Sequence, residues 1–301
     1  MKKKKQSEIA LPGQLTFNFE VPKEQDRNFH LGGRSFYFFD FDDNVAFLST
    51  SIIIFHKKTG AEIALSSGEF ALENKNIGIS GTYADYYMDF NDASGSFRHF
   101  RDKDLHPLEV KAGKKQGFVE DILKALKEVD TLWKAPSWEY FYHATLNERP
   151  VSLITARGHH PTTIMEGVDQ LVSAGYLPQR PNYHSIYPVS NPEVRRDLGD
   201  IDFKQSVAEL KKHAIRASVE KAIAQYGYSP FHRFGMSDDD HKNVELITEE
   251  MRDLKRKYPE MSFFVIETFK DSFSKREVLL HETREIISAK ESTKPQLSLF
   301  D

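Results

Sequence analysis

The 301-residue chain contains no cysteine. That absence excludes disulfides, thiolate metal ligands and a cysteine nucleophile, and it fits a reducing compartment, so a cytoplasmic location is expected. Net charge is almost absent as well, since 41 basic against 45 acidic residues leave −4. Such a balance removes the overall positive field of a protein that coats nucleic acid with its whole surface. No long apolar run is free of acids. The longest, FYFFDFDDNVAFLSTSIIIF at 36–55, carries Asp40, Asp42 and Asp43 at its centre, where a bilayer would penalise them heavily, so no membrane span is expected. The opening MKKKKQSEIALPG has the charge of a secretory leader but not the apolar segment that must follow it.

What is present is enough apolar material, 39% of residues, to bury a substantial core. Residues 1–30 mix lysine, Gly, Pro and polar residues without periodicity and are read as a mobile arm. A domain over 31–290 follows, and 291–301 is read as a flexible tail. Within the domain, the apolar runs at 34–39, Pro150–Thr155, 233–237 and 261–266 have the pattern of buried parallel strands. Helical patterns occupy 117–129, 161–175 with Pro161 in the first turn, about 206–226 and 241–257. The third opens on Ser206 with Glu209 three residues on, a capping box. Strands alternating with helices predict an α/β fold, a central parallel sheet covered on both faces that binds ligands beyond the strands' carboxyl ends. An insertion over about 50–115 interrupts this alternation. Its TSIIIFHKKTGAEIALSS segment reads as a β-hairpin, and the whole insertion is expected to form a cap or flap.

Two carboxylates two residues apart, Asp40 and Asp42, leave the first strand toward the same side. A second acid group, Asp238, Asp239 and Asp240, ends another strand about 195 positions later. Together they predict a site for a hard cation, and Mg²⁺ suits one or two carboxylates completed by water and a phosphate. Asp240 reads as a turn or helix-cap residue. Arg157, His159 and His160 read as structural or solvent-facing, and no further ligand falls at zinc spacing near the two histidines.

At these positions the chain resembles the haloacid dehalogenase (HAD) superfamily. Its first motif, an apolar strand followed by DxDx(T/V), is matched by Phe39-Asp40-Phe41-Asp42-Asp43-Asn44-Val45, with Asn44 where Thr or Val is common. The second, a strand ending in Thr or Ser, is matched at Leu153-Ile154-Thr155, and the DDxxxN form of the fourth by Asp238 to Asn243. The resemblance covers 35–266 in the right order. It implies a Rossmann-like HAD core and a Mg²⁺-dependent phosphohydrolase. Asp40 would be the nucleophile and a metal ligand. Asp42 would be the general acid and base and bind metal through its carbonyl, and Thr155 would hydrogen-bond the phosphoryl group. Asp238 would complete the metal shell, with Asp239 supporting it. The acid at position 42 favours phosphoester hydrolysis over dehalogenation or ion transport. The family's third motif is a lysine near the start of the helix before the last acid strand, which neutralises charge between nucleophile and phosphate. Lys211, Lys212 and Lys204 all fit, and spacing does not choose among them.

The final residues Gln296, Leu297, Ser298, Leu299 and Phe300 follow a polar, Pro-containing linker and resemble the QL(S/D)LF peptide by which bacterial polymerases and repair proteins dock on the sliding clamp. A flexible tail can place two apolar anchors in a surface pocket, or the same residues can pack back on the domain. The tail therefore raises a clamp partner and, with the lysines at 2–5 on the phosphate backbone, a substrate at a nucleic-acid end. A small phosphorylated metabolite or a nucleotide fits the site equally. The rival reading is a catalytically weak protein that keeps the fold and recruits partners through its tail.

Overall fold

The computed structural model describes residues 22–269 and 272–289. The lysines at 2–5 and the 296–300 peptide lie outside them. Along the chain run β1 (Ser35–Phe39), β2 (Ile52–His56), β3 (Glu62–Leu65), α1 (Ser67–Glu73), β4 (Tyr86–Tyr87), α2 (Pro107–Lys111) and α3 (Gly117–Ala125). Next come α4 (Asp130–Trp133), α5 (Trp138–Leu146), β5 (Pro150–Thr155), α6 (Pro161–Ser173), β6 (Asn182–Pro188) and α7 (Pro192–Asp197). The chain continues through α8 (Val207–Tyr226), β7 (Arg233–Asp238), α9 (His241–Lys257), β8 (Ser262–Phe269), β9 (Ser272–Val278) and β10 (Thr283–Ala289).

Seven strands form the main sheet in the order β10-β9-β8-β7-β1-β5-β6. β6, β5, β1, β7 and β8 run parallel, and β9 and β10 add on antiparallel. This is the expected α/β architecture, a mostly parallel sheet compatible with a Rossmann-like core. The sequence reading missed β6 and the two antiparallel strands. It also ran the first two helices too long, since α3 stops at Ala125 and α6 at Ser173.

The alternation of side chains along β1 sorts the core into two layers. Phe36 and Phe38 face α8 and α9 among Leu210, Ile215, Val219, Ile247 and Met251, whereas Phe39 and Phe41 face Phe118, Trp138, Phe141 and Ile164. β1 is therefore buried on both faces, which explains why its sequence is a continuous aromatic run. On the second face α3 and α6 approach so closely that a Cβ on Gly167 would sit 2.3 Å from the Phe118 ring.

The predicted hairpin is present. β2 pairs antiparallel with β3, and β4 joins the other edge of β2 to give a separate three-stranded sheet. The arm assigned to 1–30 is held at its inner end, because Asp26 is buried and accepts hydrogen bonds from the Ser35 backbone N–H at 2.7 Å and its hydroxyl at 2.9 Å. Among the described residues no helix is long and apolar enough to cross a membrane.

Candidate functional site

The strand order reverses beside β1. From β1 the chain builds outward through β5 and β6, then returns to place β7 and β8 on the other side. The crevice at the carboxyl ends of β1 and β7 is the topological switch point, where open α/β sheets bind ligands. In the parallel register Phe39 partners Ser237, and the Asp40 N–H continues the ladder to the Ser237 carbonyl at 3.0 Å. Asp40 and Asp238 therefore stand side by side, both with the parity of the residues that face α8.

From α8, Lys211 reaches into this gap. Its Nζ donates to Asp40 Oδ2 at 2.9 Å and to Asp238 Oδ2 at 2.6 Å, and the whole residue is inaccessible to solvent. Ser206 caps α8 with its hydroxyl and the reciprocal Glu209 contact, which fixes the phase of the helix. Lys211 then falls on the buried stripe with Val207, Leu210, Ala214 and Ile215. Lys212 is turned away by about 100° and lies 3.5 Å from Glu249 on the surface, while Lys204 pairs with Asp202. Of the three candidate lysines, helix phase brings Lys211 to Asp40 and Asp238 and leaves Lys212 and Lys204 directed at other carboxylates.

Asp239 completes the cluster. Asp40, Asp238 and Asp239 each offer an oxygen, and the three atoms lie within 4.8 Å of one another. Asp238 Oδ1 is further held by the Asp240 N–H at 3.1 Å and by Asn243 Nδ2 at 3.2 Å, and Asp240 itself caps α9. Burial raises the Asp40 carboxyl, and although Lys211 opposes this, the Asp238 and Asp42 charges leave it at about 7. Burial followed by the charges of Asp40 and Asp238 pushes Asp239 to about 9. Burial would lower the Lys211 ammonium, but its two carboxylates outweigh burial and hold it charged. Three carboxyl groups around one ammonium offer more hard oxygen donors than Lys211 can satisfy, and without a further cation Asp40 and Asp239 are pushed toward their protonated forms. That donor set fits a divalent cation such as Mg²⁺, held by Asp40, Asp238 and Asp239.

Asp42 is directed elsewhere. Its carboxylate accepts from Arg157 Nε at 2.7 Å and Nη2 at 2.6 Å, a two-point pair, and stays partly exposed. Its carboxylate is not part of the aspartate cluster. Arg157 is fully buried between the rings of Phe100 and Phe118, and Nη2 also donates to Thr50, which bonds Asp121. The sequence reading gave Arg157 no part in the site. The available signal was its place two residues after Thr155, at a strand end where a buried cation needs an acid. Thr155 lies inaccessible at the end of β5, next to β1, and its hydroxyl accepts the Arg157 N–H at 3.4 Å. His159 is buried against Phe118, and burial and then the Arg157 and Arg101 charges push its imidazole down to about 2, so it is neutral. His160 caps α6.

The loop after β1 is tied down from two sides. Asp43 takes a left-handed conformation at φ 56°, which Asp tolerates better than most residues. Asn44, in the position where the sequence motif departs from its pattern, is buried and donates to the Ser237 carbonyl at 2.6 Å and hydroxyl at 2.9 Å. Asp43 also hydrogen-bonds Ser67, the first residue of α1, so the insertion meets the edge of the site. Fold and site together define a Rossmann-like α/β protein with a buried aspartate–lysine centre at its switch point. Comparison with protein-family models, curated proteins and solved structures finds no match to the chain.

Proposed function

We propose that the protein is a Mg²⁺-dependent phosphohydrolase of the HAD type, acting on a phosphomonoester through an aspartyl-phosphate. The observation that carries this reading is Lys211, which bridges Asp40 and Asp238 at the switch point. A buried cation shared by a nucleophile and a metal-binding acid is what phosphoryl transfer needs, because catalysis there is mostly positioning and charge neutralisation.

In this reading an Asp40 oxygen attacks phosphorus, and the ester oxygen leaves with a proton from Asp42. Asp42 then takes a proton from water, whose oxygen attacks the phosphorus of the aspartyl-phosphate and releases phosphate and free Asp40. Lys211 lowers the repulsion between Asp40 and the incoming phosphate, and Thr155 hydrogen-bonds the transferring group. Arg157 aims Asp42 from behind through two parallel hydrogen bonds, as guanidinium geometry allows. Mg²⁺, when bound, supplies the remaining positive charge that lets a carboxylate approach a phosphate dianion. The insertion over 50–115 acts as the cap or flap that chooses what enters.

The test is hydrolysis of an aryl phosphate by the full chain. Turnover is expected with Mg²⁺, none after chelation, and none above background in Asp40→Asn. Equal turnover by Asp40→Asn and the unaltered protein would remove the nucleophile and this reading with it.

A further inference from the structure

A cleft of about 560 Å³ lies between the insertion and the segment from Ser190 to Phe203, within the range of roughly 300–1,000 Å³ typical of small-ligand sites. Phe90, Phe97 and Arg101 line it from the insertion, and Arg195, Arg196 and Phe203 line it from α7 and the loop that follows. Its charged lining is three arginines and Asp92, which pairs with Arg101 at 2.8 Å. Arg101 is thus neutralised by Asp92 and Arg195 by Asp200, so the positive charge of the cleft rests on Arg196. Among the described residues Arg196 has no carboxylate partner. Its guanidinium sits 5.0 Å from the centre of the Phe203 ring, with Arg195 at 5.5 Å on the same ring. Arg195 is braced by Asp200 at 2.5 Å and the Gln205 carbonyl at 2.8 Å.

The aromatic lining is open to water. Phe90 is 74% exposed and Phe203 42%, and Phe203 keeps a left-handed backbone at φ 57°, uncommon for a bulky side chain. Flat rings and guanidinium planes around a positive cleft are the surfaces on which nucleobases stack, with arginine meeting the phosphate. An apolar protein segment seated here would bury Arg196 without an acceptor, which desolvation opposes. The cleft also joins the site physically. Arg101 Nη1 donates to the Ser190 carbonyl at 3.2 Å, the Ser190 N–H to the Arg157 carbonyl at 3.1 Å, and the Gly158 N–H to the Phe100 carbonyl at 2.8 Å. One wall of the cleft is thus bonded to the residue that holds Asp42.

We propose that this cleft seats the base of a nucleoside phosphate whose phosphate enters the Asp40–Lys211–Asp238 site. The proposal rests on the phosphohydrolase reading for the phosphate and on the cleft alone for the base. The experiment compares Mg²⁺-dependent kcat/KM of the full chain on nucleoside monophosphates, on a phosphate-terminated single-stranded oligonucleotide, on an aryl phosphate and on a sugar phosphate. Phe203→Ala, Phe90→Ala and Arg196→Gln are measured alongside, and all three change exposed side chains. The nucleoside-bearing substrates are expected to be preferred, and each variant to raise their KM about tenfold or more while leaving aryl phosphate turnover unchanged. Preference for the mononucleotide assigns a free nucleotide, and preference for the oligonucleotide assigns a strand end. Better turnover of the sugar phosphate, or nucleoside KM values unmoved in all three variants, overturns the proposal even if the aryl phosphate is hydrolysed. Binding of the same labelled oligonucleotide to Asp40→Asn, weakened by Phe203→Ala, keeps the cleft assignment if no phosphoester is turned over, in which case the phosphohydrolase reading is the one that fails.

Discussion

Two carboxylates leave the end of β1 only two residues apart, and the protein treats them in opposite ways. Asp40 shares the single ammonium of Lys211 with Asp238, beside Asp239 and almost without solvent, so negative charge is in excess. Asp42 has a guanidinium to itself, and its charge is matched within one two-point pair at the solvent edge. The first arrangement is built to accept another cation or to hold a proton. The second is already balanced and serves to aim one side chain. A buried charge group therefore reads as a binding site when its charges do not cancel, and as a positioning device when they do.

Removing Lys211 breaks the comparison hardest. Lys211→Met leaves Asp40 and Asp238 without their shared counter-charge, and at pH 8 in the absence of metal it is expected to lose roughly 3–5 kcal/mol in urea unfolding, with less loss at pH 5, where Asp40 holds a proton. Lys212→Met, on the surface, should stay within about 0.5 kcal/mol. Equal losses in the two variants would place the lysine function wrongly.

The balanced side is tested by kinetics. Asp42→Asn keeps the shape but cannot donate or accept the proton, so kcat should fall by about 10²–10⁴-fold, and thermal stability should fall with it because the buried Arg157 loses its carboxylate. Arg157→Lys keeps a charge but loses the fork, and about a tenfold lower kcat is expected. A kcat unaffected by Asp42→Asn would leave Asp42 as Arg157's partner alone.

The smallest effect is a pH dependence of the unbalanced side. The Asp40 carboxyl rises from an ordinary 3.8 to about 7 and Asp239 from 3.8 to about 9. The folded protein thus keeps protons that the unfolded chain has released. These groups contribute stability that is fully present below about pH 4 and is lost as pH rises through 7 to 9. In metal-free protein the Tm should fall over that window. Added Mg²⁺ should restore more of it at pH 8.5 than at pH 5.5, because binding displaces protons. A Tm insensitive to Mg²⁺ at pH 8.5 would argue against a cation among these carboxylates.

Much of this was legible beforehand because it depends on local pattern. Apolar runs ending in acids mark β1 and β7, one ending in the Thr155 hydroxyl marks β5, and the Ser206–Glu209 box marks the start of α8. β6, β9 and β10 were not legible for a physical reason. The SFSKREV and TREIISA strands, of which β10 forms the sheet edge and β9 lies next to it, intersperse charged residues and lack the continuous apolar run of a doubly buried strand. Arg157 escaped because burial of an arginine depends on an acid 115 positions away. The cleft escaped because Phe90 and Phe203 meet only after the insertion folds against α7.

The sequence by itself determined the strands β1, β5, β7 and β8, the main helices between them and the supply of acids at strand ends, because continuous apolar runs and helix caps are set by residues within a few positions of one another. Lys211 does not belong on that side, because spacing left it level with Lys212 and Lys204 and only the packed phase of α8 brought it to Asp40 and Asp238. Only the tertiary structure decided how charge is shared. Which carboxylate shares an ammonium, which receives a guanidinium and which aromatic rings stay open to water depend on strands brought side by side from distant parts of the chain. The same Asp-x-Asp pair thus became two unlike groups, because adjacent register put Asp238 beside Asp40 while the loop after β5 put Arg157 beside Asp42.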